Sequence, residues 1–396
     1  MQNRMLSGAL LVVGTTIGAG MLSLPLLTAA TGFYMAVILL MLSWSVMYLT
    51  SLRLIHVCQD YPLGVNLTTL MRKRLPLIGQ LMFVLIYLAL LFALMAAYTT
   101  QGTELAASIT HLQSNDSNNT MITAFNAVIF ILVFGFIILN YRLSDQVNRW
   151  FVILKILFFA GSVVTMLGFF EIVYLNASPW SLASIVYAWP TLLTAFGFQN
   201  IVPVLYEYQK GNVKQIRQSV FYGSLFVLAI YIIWLVVCFS VLPQSGPSSY
   251  QSIYASGNTL SQLIQTIEAT TNSHWIHAFL NMFINIAIVT SFLCVGLSLF
   301  HYLRDLFKRL GWEIHSLFVW IMTFILPFSF TVFYPKGFIL ALQYAAIFAV
   351  VVFVYMPTYL DQRRKPGAGF YAVLLGSSVI VAQICNLVGW SYPFGG

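Results

Sequence analysis

Three glycines in seven residues, Gly14-Thr15-Thr16-Ile17-Gly18-Ala19-Gly20, followed by Pro25, interrupt an apolar stretch otherwise long enough for one membrane helix. Backbone N–H and C=O groups find no water in hydrocarbon, so unwound chain at that depth is tolerated only where it lines a cavity or grips a ligand. The chemistry on offer is that of the peptide group. A helix restarting near Gly18, Ala19 and Gly20 presents free N–H groups and a positive dipole end, which suit a carboxylate. Carbonyls released from Gly14 to Ile17 present partial negative charge to an ammonium group, and glycine lets a ligand approach the backbone with no Cβ between. A second interruption, Phe196-Gly197-Phe198-Gln199-Asn200, lies between Pro190 and Pro203 and releases the carbonyls from Ala195 to Phe198. Gly14 and Gly18 also form a GxxxG motif, so tight helix packing is the competing reading of the first break.

The elements that must hold these breaks are membrane helices. The chain is 60% hydrophobic and only 7% charged, with a mean hydropathy of +0.88, far outside the soluble range. Apolar runs of spanning length fall at residues 6–29, 33–56, 79–109, 121–140, 147–170, 183–206, 218–242, 276–303, 315–334, 337–356 and 370–392, eleven in all. With alternate sides assigned, sixteen of the eighteen lysines and arginines share one face: Arg4, Arg53, Arg72, Lys73, Arg74, Arg142, Arg149, Lys210, Lys214, Arg217, Arg304, Lys308, Arg309, Arg363, Arg364 and Lys365. That face is cytoplasmic by the positive-inside rule, which puts the N-terminus inside and the C-terminus outside. Lys336 alone lies opposite, and Lys155 falls within the fifth span. The net charge of +8 thus reflects membrane topology and lipid contact, not nucleic-acid binding.

No soluble domain is expected. The connection from about 242 to 275 contains Thr259-Leu260-Ser261-Gln262, a capping box, and Leu260, Leu263, Ile264 and Ile267 share one helical face. It reads as an amphipathic lid or as a helix packed on the bundle. Cys58, Cys238, Cys294 and Cys385 have no CxxC spacing, and the chain has no HExxH, no GxSxG and no metal-spaced His/Cys set. A metal, a cofactor and an intramembrane enzyme are therefore not expected.

Gly18 to Pro25 and Phe196 to Pro203 are each seven residues, and five spans separate the two breaks, so the broken helices cross the membrane in opposite directions. That is the arrangement of two inverted five-helix repeats, 1–170 and 183–356, with 370–392 as an extra helix. The Gly14 to Pro25 run, Thr194-Ala195-Phe196-Gly197-Phe198 with Pro203, and the eleven-helix count resemble the bacterial aromatic amino acid permeases of the amino acid-polyamine-organocation superfamily, among them the tyrosine-specific permease. The resemblance implies the leucine-transporter-like fold in a bacterial cytoplasmic membrane, and uptake of tyrosine or a related aromatic amino acid with protons. An oligomer is not required.

Within that frame the backbone N–H groups at Gly18, Ala19 and Gly20 hold the carboxylate, and the carbonyls freed from Gly14 to Ile17 and from Ala195 to Phe198 hold the ammonium group. Expected walls are Met21, Tyr87, Leu91, Phe92, Phe196 and Phe198. For a phenolic hydroxyl the polar candidates are Gln199, Asn200, Asn285 and Gln343, since a site built to bond an OH rejects the analogue lacking it. No acidic residue stands at mid-span, which favours neutral substrates. Lys155 lies ten positions after Asp145, about 15 Å along a helix and near the middle of a ~30 Å core. Placing an ammonium there costs about 2.5–3.5 kcal/mol on the insertion scale, so a function is expected. Its expected partners are the carbonyls freed in span one and the hydroxyls of Thr290 and Ser291. In the related fold that neighbourhood is a sodium site, and the resemblance implies that Lys155 replaces the ion, its protonation biasing alternating access. The competing reading is a permanently charged strut between spans five and one. His56, His111, His274, His277, His301 and His315, with Glu104 and Glu207, sit at span ends where contact with water suffices.

Overall fold

The computed structural model describes the chain except residues 1–3, 64–66, 113–119, 178–179, 258, 362–365, 392 and 395–396, and except the side chains of 19, 68–69, 72–73, 141–145, 148–149 and 366. Arg363, Arg364 and Lys365 of the basic face therefore lie outside the described residues, as do the side chains of Ala19, Arg72, Lys73, Arg142, Asp145 and Arg149.

Long runs of Leu, Ile, Val and Phe can satisfy their backbone in a bilayer only as helices or closed barrels. Among the described residues there are helices and turns and no strand. Ten helices are long and apolar enough to span: Phe33–Cys58, Leu77–Thr110, Thr120–Leu139, Trp150–Phe169, Leu182–Tyr208, Val213–Val241, His274–Arg309, Ser316–Phe333, Phe338–Leu360 and Gly367–Leu387. Arg4–Thr16 and Gly20–Thr31, bent by 60°, make an eleventh. The eleven expected spans are thus present, and the first and sixth are the broken ones. Span ten adds a feature that hydropathy hides, a π-helical turn over Val350–Tyr355 just ahead of Pro357. Such widened turns concentrate at functional sites.

The helices sort into two compact units. The first comprises Met1–Ala89, Ile172–Phe239 and Ala346–Gly396. Here the Leu182–Thr194 half of span six packs on spans two and eleven, where Trp189 Nε1 donates to Ser378 Oγ at 2.9 Å. Spans one and seven cross closely because two glycines remove the side chains that would collide. A Cβ on Gly8 would lie 2.2 Å from Gln209 Nε2, and one on Gly223 would lie 2.8 Å from Ala9 O. Buried Arg53 donates to the Asp361 carbonyl at 3.0 Å, and His56 Nδ1 lies 2.9 Å from Asp361 Oδ1. That pair ties span two to the end of span ten.

The second unit comprises Leu90–Glu171 and Ser240–Ala345. Span five lies along span eight, with Phe159 against Phe283 at 5.3 Å between ring centroids. Phe292 fills the centre between Phe130 (4.7 Å) and Phe324 (5.5 Å). Trp320 Nε1 donates to Gly135 O at 2.8 Å, joining spans nine and four. The connection before span eight folds into two short helices, Tyr250–Ala255 and Leu260–Thr271. The second carries the expected capping box, Thr259 with Gln262, and buries Leu260, Leu263, Ile264 and Ile267. It packs on span eight. The first has its own Ser249–Ser252 box, a serine pair that the Glu/Gln form of the motif does not flag.

Candidate functional site

Both breaks lie in the first unit. In span one, regular helix ends at Thr16, and Ile17 N still bonds Val13 O at 3.0 Å. Gly18 is extended (φ −144°, ψ −158°), and helix restarts over Ala19–Leu22, closed by Met21 N on Gly18 O at 3.1 Å. The peptide groups at Gly18, Ala19 and Gly20 therefore stand at a helix start, where no preceding turn supplies carbonyls for their N–H groups. Thr15 and Thr16 offer backbone only. Their hydroxyls bond back down the helix, Thr15 to Leu11 O (2.8 Å) and Thr16 to Val12 O (2.6 Å). The packing reading of Gly14 fails on geometry, since a Cβ there meets nothing within 4 Å among the described residues. The close packing of this helix is at Gly8.

Span six runs helically from Leu182 to Thr194, passes through Ala195 to Phe198, and resumes as a 3₁₀ turn over Gln199–Ile201 and a helix over Val202–Tyr208. The carbonyls expected to be free there are partly committed. Phe198 N donates to Phe196 O at 2.9 Å, Ile201 N to Phe198 O at 3.1 Å, and Gly197 N to Thr194 O at 3.0 Å. A broken helix tightens into short-range turns because a buried carbonyl left without any donor is costly. Each of these oxygens keeps a second lone pair.

One side chain joins the two breaks. Tyr231, fully buried on span seven, sets its hydroxyl 2.9 Å from Thr16 O and 2.8 Å from Ala195 O and donates its single hydrogen to them. Its ring lies 5.1 Å from that of Phe196. The Cα of Ala195 is 3.7 Å from where a Cβ on Gly20 would stand, so the two interruptions touch. Phe353, on the π-turn, would lie 3.5 Å from a Cβ on Gly197.

The expected side chains divide between the units. In the first, Met21, Phe196 and Phe198 are fully buried, and Tyr87 stacks on Phe83 at 5.7 Å. Gln199 is also buried, but its Nε2 is spent on span two, donating to Met47 O (3.1 Å) and Thr50 Oγ1 (3.2 Å). Its Oε1 has no protein donor among the described residues. Asn200 is exposed, since the 3₁₀ turn rotates it away from Gln199. In the second unit, Leu91 is buried and Phe92 half-buried. Asn285 donates to Asn281 Oδ1 at 3.1 Å and is thereby committed to its own helix. Gln343 is buried, and its Nε2 has no acceptor among the described residues.

Lys155 is 3% exposed, whereas Ile153 and Ile156 beside it are 58% and 55% exposed. The lysine thus faces into the unit and its neighbours face outward. Thr290 and Ser291 are buried on span eight, the helix along which span five packs. Thr290 donates to Ala287 O at 3.0 Å within its own turn.

A model of the tryptophan/tyrosine permease family matches residues 1–390. The chain belongs to the tryptophan/tyrosine permease family. It is 32% identical over 397 residues to the tyrosine-specific transport system 1 of Haemophilus influenzae, covering 99% of this chain and 97% of that protein. Tyrosine-specific transport system 2 of the same organism is 32% identical over 405 residues, covering 99% and 98%. A solved manganese transporter from Eremococcus coleocola shares the fold, with a TM-score of 0.62 at 12% identity over 98% of this chain and 86% of that one. This family member is a multi-pass membrane transporter rather than an enzyme, with the leucine-transporter-like fold that the resemblance implied.

Sequence reasoning missed Tyr231 and Phe353. A tyrosine in an apolar span carries no periodic signal, and the π-turn that aims Phe353 leaves no trace in hydropathy.

Proposed function

We propose that the chain imports an aromatic amino acid, tyrosine foremost, across the bacterial cytoplasmic membrane by proton symport and alternating access. Residues 1–170 and 183–356 act as inverted repeats, and the N-terminus is cytoplasmic. The observation that carries the reading is the paired interruption of spans one and six within a single unit, with the helix start at Gly18 to Gly20 touching Ala195 of the second break. A helix start recognises the substrate carboxylate, and the remaining lone pairs of the break carbonyls receive the ammonium group. The tyrosine-specific names of two relatives that match nearly end to end support an aromatic substrate.

A phenolic hydroxyl both donates and accepts. Two buried amides keep one uncommitted atom of each kind, Gln199 Oε1 as acceptor and Gln343 Nε2 as donor. We assign selection for the hydroxyl to Gln199, whose free acceptor lies in the same unit as both breaks, and withdraw Asn200 and Asn285 from that role. Proton coupling is assigned to Lys155, an ammonium buried in the span whose neighbouring residues are exposed. Reconstituted protein should accumulate labelled tyrosine when an inward proton gradient is imposed. Equilibration without accumulation would refute symport, and stronger competition by leucine or serine than by phenylalanine would refute the aromatic assignment.

A further inference from the structure

The second unit holds a cavity of about 270 Å³ that the transport path assigned above does not use. It opens on the face that carries Lys336, between span three, span four and the Leu260–Thr271 helix. That volume is at the lower end of the small-molecule range. Two charges of opposite sign line it, Glu104 from span three and Lys336 from the turn before span ten.

Both charges are set in place by neighbours. Ser261 Oγ donates to Glu104 Oε2 at 2.6 Å, and Gln101 Nε2 donates to the same oxygen at 2.9 Å. The carboxylate thus rests on the first turn of a helix whose start is capped by Thr259, a placement the helix dipole favours. The Lys336 side chain lies over Gly257, where a Cβ would come within 3.2 Å of Nζ, and a φ of +124° there restricts the position to glycine. Glu104 and Lys336 line one cavity, yet among the described residues they form no direct ion pair. Thr103 and Thr123 line the same cavity.

We propose that this cavity is an outer binding site for an α-amino acid zwitterion, with its carboxylate on Lys336 and its ammonium group on Glu104. A simple anion would meet the Glu104 charge and a simple cation the Lys336 charge. A neutral solute with both charges one carbon apart satisfies the two together. The inference rests on the reading of the chain as an amino acid transporter, whose solute the site would hold on the outer face before delivery to the breaks.

The test is equilibrium binding of tritium-labelled L-tyrosine to the full-length protein in lipid nanodiscs. Wild type should bind two molecules per chain. Lys336→Gln and Glu104→Gln should each weaken one of the two by up to about fivefold, the scale of a partly exposed charge contact. Lys336 is exposed and Gln keeps the hydrogen-bonding shape of Glu104, so both variants should fold. Gly18→Leu should retain one molecule, whose affinity falls by the same factor when Lys336→Gln is added. A single molecule in wild type, abolished by Gly18→Leu and indifferent to Lys336→Gln, overturns the outer site and leaves the transport reading standing. A single molecule weakened in Lys336→Gln and kept in Gly18→Leu overturns the break site instead. Absence of binding in wild type overturns both.

Discussion

Replacing Tyr231 with phenylalanine isolates the atom that ties the two breaks together. The ring, its 5.1 Å contact with Phe196 and its full burial are retained, and only the hydroxyl that bonds Thr16 O and Ala195 O is lost. One hydrogen serves both carbonyls, so the loss is that of one buried hydrogen bond, about 1 kcal/mol net and up to about 1.5 because two buried acceptors are left sharing fewer donors. That corresponds to about a fivefold to tenfold shift against the arrangement in which the breaks touch. If this arrangement binds substrate, the KM for tyrosine uptake in proteoliposomes should rise by about fivefold, with expression and Vmax little changed. Tyr231→Leu provides the contrast. It also deletes ring packing, costs about 2–5 kcal/mol, and should lower the folded yield itself. A Tyr231→Phe KM within about twofold of wild type, measured on equally folded protein, would refute the claim that the hydroxyl sets the binding geometry.

Gly8→Ala must push a Cβ into Gln209 and Ser219, an overpacking cost of about 1–3 kcal/mol. It should reduce the detergent-stable fraction, whereas Gly14→Ala, with open space around it, should fold like wild type; equal stability of the two would contradict the crossing at Gly8. Lys155→Gln should exchange labelled for unlabelled tyrosine but no longer respond to an imposed pH gradient, and an undiminished response would remove Lys155 from coupling. Gln199→Leu should lower the preference for tyrosine over phenylalanine by about tenfold through loss of a buried acceptor, read from competition curves; an unchanged ratio would place hydroxyl selection elsewhere.

The spans were legible because a bilayer allows few solutions, and the breaks because glycine and proline at that depth are conspicuous against leucine and phenylalanine. The Leu260–Thr271 helix was legible from Thr259, Gln262 and its apolar face. What stayed hidden depends on three-dimensional neighbours. Gln199 is as polar as Gln343 in sequence, yet the fold spends its amide nitrogen on Met47 and Thr50. Asn285 likewise closes a bond to Asn281 one turn away. The carbonyls of the span-six break looked free because unwinding removes helical donors, but Tyr231, Phe198 N and Ile201 N replace them. Glu104 and Lys336, more than two hundred residues apart in sequence, read as ordinary end charges until the fold set both on one cavity.

An experimental structure of the full-length protein in nanodiscs with tyrosine bound tests the central claim most directly. The account predicts the amino acid's carboxylate at the amides of Gly18 to Gly20 and its ammonium group at the carbonyls of the two breaks. Continuous helices through Gly18 and Gly197, or tyrosine bound only at sites remote from both, would contradict it.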